Sequence, residues 1–197
     1  MATTPDQLGS PPVSLSRSGV FIIADYPVAA KRKRAPVRIV LRMRGEANGP
    51  AVDCEVAMST GSSVEDTRRC DVAKKRARFK PATDQTGQPI AGEAMIAGGW
   101  FEQGAAMPAS VPPAADAELT VSALPGNRSS AEVAIVQIIA ADGRVEQCAV
   151  SKESGIASLD ASACSLIAGS AQRPPIVGAD GKPTRSRRTT RVTFSTS

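Results

Sequence analysis

The sequence predicts an α+β protein built from two tandem β-β-α-β domains, each a short antiparallel sheet with one packed helix. Two observations carry this prediction: an internal repeat, and strand-sized segments in which apolar residues alternate with polar ones. The repeat has an offset of 94 residues, which places Cys54 on Cys148 and Cys70 on Cys164 without a gap. The further matches include Gly61 with Gly155, Asp66 with Asp160, Pro81 with Pro175, Gly87 with Gly181 and Pro89 with Pro183.

Each copy shows the same order of elements. In the first copy, alternation predicts a hairpin over residues 37–44 and 52–59, followed by a helix over 62–78 and a last strand over 92–101. The spacing of Ser62 and Glu65 is typical of a capping box at the start of that helix. The second copy has strands at 132–140, 145–152 and 185–195 and a helix at 158–171. In both copies, the matched aspartate lies near the helix N-terminus, where it stabilises the helix dipole.

These elements predict four segments of chain. Residues 1–14 are polar and rich in Pro and Gly, and are expected to be a disordered tail. Residues 15–102 form the first domain and residues 118–197 the second. The segment 103–117 between them contains Pro108, Pro112 and Pro113 among Ala and Ser, a composition typical of a linker.

The four cysteines lie at equivalent places in the two copies, one on a strand and one on the following helix. A disulfide between Cys54 and Cys70, and another between Cys148 and Cys164, would each join a helix to a sheet. Such a loop corresponds to about 3 kcal/mol in the chain-entropy model. Buried free thiols and a four-thiolate zinc site are the alternatives, although close C-x2–4-C pairs are absent from the sequence. Two disulfides would indicate an oxidising compartment.

Composition argues against several classes of function. The chain contains no histidine, which excludes Ser-His and Cys-His catalysis and histidine metal ligands. It contains no Gly-x-Ser-x-Gly elbow and no Gly-rich phosphate loop, so we expect no enzyme, cofactor or metal site. Six aromatic residues leave little surface for base stacking, and we expect no nucleic-acid partner. No apolar run is long enough for a membrane span, and the first ten residues lack the pattern of a signal peptide.

A set of short motifs follows the elements of the first copy in order. They are Tyr26-Pro27, Ser59-Thr60-Gly61, Phe79-x-Pro81, Gly87-x-Pro89 and Trp100-Phe101. In order and spacing this pattern resembles the C-terminal domain of TonB-family energy transducers, with a cysteine pair added to each copy. The first copy matches over roughly residues 25–101. The second matches more loosely, since it has no Tyr-Pro entry and has Arg173-Pro174-Pro175 in place of the Phe-x-Pro segment.

The resemblance implies a periplasmic, non-enzymatic protein. Domains of this family bind outer-membrane transporters by pairing an exposed strand edge with a short receptor segment. The expected partner is therefore an outer-membrane transporter or another envelope protein. Members of the family reach a membrane motor through an anchor helix and a Pro-rich spacer. Membrane association is expected here only through an anchor absent from this chain.

By this resemblance, the last strand of each copy is the candidate binding edge. The candidate residues are Met95, Ile96, Ala97, Gly98, Gly99 and Trp100 in the first copy and Arg188 and Arg191 in the second. One alternative is a scaffold in which the two copies pair these edges with each other. Another is polyanion binding through the basic clusters at residues 31–34 and 74–76.

Overall fold

The computed structural model describes residues 4–15, 20–25, 37–100, 115–169 and 175–196. It shows an N-terminal strap (residues 4–15), a first unit (residues 37–100) and a second unit (residues 117–196). The strap contains a 3-10 helix at Pro5–Leu8 and strand β1 at Val13–Ser14. The first unit contains β2 at Val37–Gly45, β3 at Ala51–Met58, helix α1 at Ser63–Arg76, β4 at Phe79–Lys80, β5 at Ala82–Thr83 and β6 at Pro89–Trp100.

The second unit repeats this order after one extra strand. Its elements are β7 at Ala117–Val121, β8 at Ser130–Ile139, β9 at Val145–Lys152, helix α2 at Ala157–Gly169, β10 at Ile176–Val177, β11 at Pro183–Thr184 and β12 at Ser186–Thr196. The α+β class is confirmed. Predicted ends of the main strands and helices differ from the observed ones by a few residues, which is the ordinary scatter of helix and strand ends.

Strand pairing in the two units has the same register after a shift of 94 residues. Met43 lies opposite Cys54 in the first hairpin, and Gln137 lies opposite Cys148 in the second. Register shifts occur at equivalent points, such as Val40/Leu41 and Ala134/Ile135. The last strands obey the same rule, since β6 pairs antiparallel with β2 and β12 pairs antiparallel with β8. The spatial repeat therefore has the same offset as the sequence repeat.

A separate apolar core lies between the helix and sheet of each unit. In the first unit the helix contributes Ala73 and the sheet contributes Leu41 and Met43, all fully buried. In the second unit Ala163 packs with Ile135 and Phe194 among others. Alternation along each strand places every second side chain on the helix side, as the sequence pattern predicts.

The two units join into one eight-stranded sheet in which β6 lies beside β12. The strand order is β3-β2-β6-β12-β8-β9, with β5 beside β6 and β7 beside β12. Strands β6 and β12 run parallel and pair only through Ala91 with Ser186 and Gly92 with Arg187. A parallel contact of two residue pairs leaves no periodic pattern in the sequence. The sequence therefore gives no sign that the sheets are continuous.

The strap differs from the expectation of a disordered tail over residues 1–14. Leu8 is fully buried and packs with residues of both units, among them Ile90 and Val136. The amide of Ser10 donates to the Thr83 hydroxyl at 3.0 Å, and β1 pairs with β4. The expectation was wrong for residues 4–14, because the sheet face of the second unit away from α2 is apolar and the strap covers it.

Candidate strand-addition site

The predicted site residues of the first unit lie along β6 and alternate between its two faces. Met95 is 46% exposed and Ala97 is also exposed, whereas Ile96 is buried in the core of the unit. Gly98 lies against the ring of Phe21 on the core side. Gly99 is half-buried, and the side chain of Trp100 lies outside the described residues. The structure therefore places Met95 and Ala97 on an accessible face of β6, and Ile96 and Gly98 on the face toward the core.

The predicted edge of the second unit is covered over most of its length. On one side β12 pairs with β8 from Ser186 to Ser195. On the other side of β12, its first two residues pair with β6, and its residues Val192 to Thr196 pair with β7. Asp116 occupies part of the interval, since its carboxylate accepts the amide of Arg191 at 2.8 Å and its own amide donates to the carbonyl of Arg191 at 2.8 Å. The sequence predicts an open edge on the last strand of each copy. Among the described residues, β6 and β12 do not present equivalent edges.

The edge of β6 has a different environment. On one side it pairs with β2 from Gly92 to Trp100. On its other side it pairs with β5 at Pro89 and Ile90 and with β12 at Ala91 and Gly92. Among the described strands, none pairs with that side of β6 between Ala94 and Gly98. The candidate edge is thus in the first unit.

A groove of about 580 Å³ lies along this part of β6, and we call it the inter-unit groove. Strand β6 contributes Met95 and Ala97, and β12 contributes Thr189 and Arg191. The strap also reaches it through residues such as Pro12. The floor on β2 includes Arg38, Val40 and Arg42. The groove is therefore bounded by both units and the strap.

Ion pairs hold the two units together beside the groove. The Glu93 carboxylate lies 3.3 Å from Nε of Arg44 and 3.6 Å from Nε of Arg188. The side chains of Glu93 and Arg188 are only 5% and 2% exposed, so this cross-unit pair is almost fully desolvated. Burial lowers the pKa of Arg44, but the hydrogen bond to Asp53 and the charge of Glu93 more than offset this and raise it. Arg188, predicted as a binding residue, is thus placed in the junction between the units.

A second cross-unit contact lies at the other end of the junction. Arg185 donates to Asp84 at 2.6 Å and to Glu146 at 2.7 Å. The hydroxyl of Thr86 and the guanidinium of Arg185 lower the pKa of Asp84 well below its ordinary value. This aspartate therefore stays charged and organises the turn between β5 and β6.

The matched aspartates anchor the turn before each helix. Asp66 accepts the amide of Thr60 at 2.9 Å, and Asp160 accepts the amide of Ser154 at 2.8 Å. Burial would raise the pKa of Asp66, but hydrogen bonds from Ser59 and Thr60 outweigh it and lower the pKa. The side chain of Ser62 makes no cap hydrogen bond. The expected capping box is therefore replaced by Asp66, which serves a structural role.

Both predicted disulfides are present. Cys54 bonds to Cys70 with a Cα–Cα distance of 5.6 Å, and Cys148 bonds to Cys164 with a distance of 5.9 Å. Each joins the second strand of a hairpin to the helix that follows. The bonds are consistent with an oxidising compartment.

Comparison with known proteins found one similarity. Residues 127–196 match the family model for the Gram-negative bacterial TonB protein C-terminal. This segment is similar to TonB C-terminal domains. It coincides with most of the second unit, although the sequence motifs gave the closer resemblance to the first. The TonB C-terminal family consists of non-catalytic, protein-interaction domains. No curated protein and no solved structure gave a significant match.

None of the helices in the described ranges is both long and apolar enough to cross a bilayer. The basic cluster at residues 31–34 lies outside the described residues.

Proposed function

We propose that this protein is a non-enzymatic, TonB-like protein of the periplasm that binds an extended segment of an outer-membrane transporter or another envelope protein. The segment would add as a strand to β6, between Ala94 and Gly98. One observation carries the proposal: β6 is paired with β2 on one side from Gly92 to Trp100, whereas no described strand pairs with its other side between Ala94 and Gly98. Strand addition uses such an edge, because backbone groups supply affinity and alternate side chains supply specificity.

Two further observations support the cellular setting. The TonB C-terminal match covers residues 127–196, and the family acts in the periplasm of Gram-negative bacteria. Both disulfides fit that oxidising compartment. The repeated strand register supports the interpretation that the two units are copies of one domain.

The proposal concerns the binding step. In the TonB family this step precedes energy transduction to the transporter, which requires a connection to a membrane motor. If the protein were tethered to such a motor, force would pass to the partner through the partner's segment paired with β6. Binding itself needs only the folded domain.

The experiment is a titration of the 15N-labelled protein with overlapping ten-residue peptides from periplasm-facing N-terminal segments of outer-membrane transporters. Strand addition predicts amide shift changes centred on residues 94–98 and slowed hydrogen exchange there. Each binding peptide is then N-methylated at alternate residues, in both registers. One register removes the amides that face β6 and should abolish binding, while the other should be tolerated. Strand addition at β6 is contradicted if none of the peptides binds, or if N-methylation weakens binding equally in both registers.

The scaffold interpretation is the second candidate, and the pairing of β6 with β12 favours it. In that case the inter-unit contact is the function, and peptides leave the shifts of β6 unchanged. The same titration therefore separates the two candidates.

A further inference from the structure

We propose that the ladder formed by β1 and β4 in the first unit binds an anionic lipid surface through its solvent-exposed face. This interaction surface is separate from β6, and it does not depend on strand addition there. It goes beyond the sequence expectation of membrane association through an anchor, because side chains of the folded unit make the contact.

The ladder joins the strap to the short strand that follows helix α1. Val13 lies opposite Lys80 in the antiparallel pairing. The pairing continues to Leu15, whose amide donates to the carbonyl of Arg78 at 2.8 Å. Residues that lie opposite each other on such a ladder share a face, with their Cβ atoms about 5 Å apart. Each apolar residue of the strap therefore has a cationic residue as its cross-strand neighbour.

One face of this ladder lies against the core of the first unit, and the other faces solvent. Phe79 is only 4% exposed and packs in that core. Because alternate side chains of a strand point to opposite faces, Arg78 and Lys80 point outward, and both are exposed. Their partners Val13 and Leu15 are 52% and 57% exposed. We call the surface formed by these two apolar and two cationic residues the ladder face.

Acidic side chains near the end of α1 are already matched by other cations. Asp71 pairs with Lys74 at 3.3 Å, and Asp25 pairs with Arg76 at 2.6 Å. The carboxylate of Asp25 also accepts the amide of Ile22 at 2.8 Å. Ile22 is 52% exposed, so a third exposed apolar residue lies near the same end of the helix.

The cations of the ladder face and its border keep their charge uncompensated. In the described part of the chain, Lys75 and Lys80 are exposed and form no ion pair. The guanidinium of Arg78 donates to the carbonyls of Lys75 and Ala77 at 3.0 Å and 2.9 Å. These bonds hold the guanidinium in place but bring no negative charge to it. Three positive charges therefore lie beside two exposed apolar side chains.

The second copy lacks these charges. At the three positions that match the cations after a shift of 94, it has Gly169, Gln172 and Pro174. A charge required by the shared fold would recur in both copies. The cationic character of this surface is therefore particular to the first unit, as expected for a binding surface.

The combination of side chains indicates a lipid surface. Exposed apolar side chains enter the headgroup region of a bilayer, while basic side chains contact the lipid phosphates from their long aliphatic stems. An acidic peptide would instead need a groove that seats its side chains. The residues of the ladder face do not line the inter-unit groove.

Sedimentation of the full chain with lipid vesicles tests the charges. Vesicles of equal parts phosphatidylglycerol and phosphatidylcholine should bind the protein, vesicles of phosphatidylcholine alone should not, and added salt should weaken binding. Lys75→Gln combined with Lys80→Gln should lower the partition coefficient at least about tenfold. The matched control is Arg144→Gln combined with Lys182→Gln, at exposed cations of the second unit. It gives the same net charge and should change the coefficient by less than about threefold.

A second pair of variants tests the apolar contribution. Val13→Ala combined with Leu15→Ala should lower the partition coefficient about fivefold, because less apolar area enters the headgroup region. The matched control is Leu166→Ala combined with Val177→Ala, at side chains of the second unit that are 43% and 49% exposed. It should change the coefficient by less than about twofold. Urea denaturation verifies that all variants are folded.

Each outcome decides one part of the proposal. If the wild-type protein does not bind the anionic vesicles, the lipid surface is the wrong partner. If the two glutamine pairs weaken binding equally, net charge is responsible and the ladder face is the wrong place. If the alanine pair at Val13 and Leu15 has no effect, or if poly-glutamate binds more tightly than the vesicles, the face binds polyanions and not a bilayer. Strand addition at β6 is tested separately, by the peptide titration.

Discussion

Leu8 offers a direct test of how the strap holds the two units. Its side chain is 0% exposed and packs in a cluster with Ala82 and Ile90 of the first unit and with Val136, Ile138 and Ala149 of the second. Leu8→Ala removes three carbon atoms from a site fixed by rigid strands on several sides, so the cavity collapses only partly. Core Leu→Ala substitutions cost about 2–5 kcal/mol, and we expect about 3 kcal/mol here. At this chain length that corresponds to a fall in Tm of about 6–12 °C.

The matched control is Leu15→Ala, on the same strap. Leu15 is 57% exposed, so its truncation should change the free energy of unfolding by less than about 0.5 kcal/mol. Urea denaturation measures both variants. Hydrogen exchange adds a local readout, because the amides of Ser10 and Leu15 donate to Thr83 and Arg78 and should lose protection in Leu8→Ala. Equal and small effects of the two substitutions would refute the packed strap.

The remaining predictions concern covalent links, acid stability and one close contact. Replacing both cysteines of either disulfide by serine should lower the free energy of unfolding, measured in urea, by about 3 kcal/mol. The two losses should be equal, because each bond has a sequence separation of 16. A loss below about 1 kcal/mol would contradict this. Because the pKa of Asp84 is lower in the folded than in the unfolded protein, where it is about 3.9, its charged form stabilises the fold above that pH. This stability is lost as the pH falls from about 4 through the pKa of the folded state. Asp84→Asn should therefore lower the free energy of unfolding at pH 7, and its difference from wild type should shrink below about pH 4. A difference that does not change with pH argues against this role. A Cβ at Gly98 would overlap the ring of Phe21, so Gly98→Ala should cost about 1–3 kcal/mol. Adding Phe21→Ala should remove most of that clash, and strict additivity in a double-mutant cycle would contradict the contact.

Local patterns in the sequence were sufficient for the three long strands and the helix that the two units share, but not for β7 or the two-residue strands. Alternation along residues 37–44 and 145–152 reflects strands with one face on a core, and that physical requirement is visible residue by residue. The disulfides followed from the repeat, because Cys54 and Cys70 have equivalents at the same spacing. The strands, helices and disulfides depend on residues that lie close together in the sequence or recur in its second copy.

The arrangement of the units depends on contacts that leave no such pattern. The pairing of Gly92 with Arg187 joins residues 95 positions apart through backbone atoms alone, so no side-chain periodicity marks it. The strap was misjudged because Pro5 to Pro12 is polar and Pro-rich overall, and its anchoring rests on the single side chain of Leu8. One apolar residue in a polar segment is a weak signal in the sequence. The burial of Leu8 depends on the apolar surface that the two units form together.

The candidate site shows the same division. Strand alternation explains why Met95 and Ala97 share a face of β6. That β12 is covered near its end depends on β7 and Asp116, whose position beside Val192 and Arg191 is a tertiary contact. The sequence thus predicted both last strands but not the difference between their neighbours.

Intermolecular NOEs from a bound transporter peptide test the central claim most directly. Strand addition to β6 predicts contacts from the peptide backbone to the backbone of Met95 and Ala97. Contacts confined to the outer strands β3 or β9, with none to β6, would contradict the account.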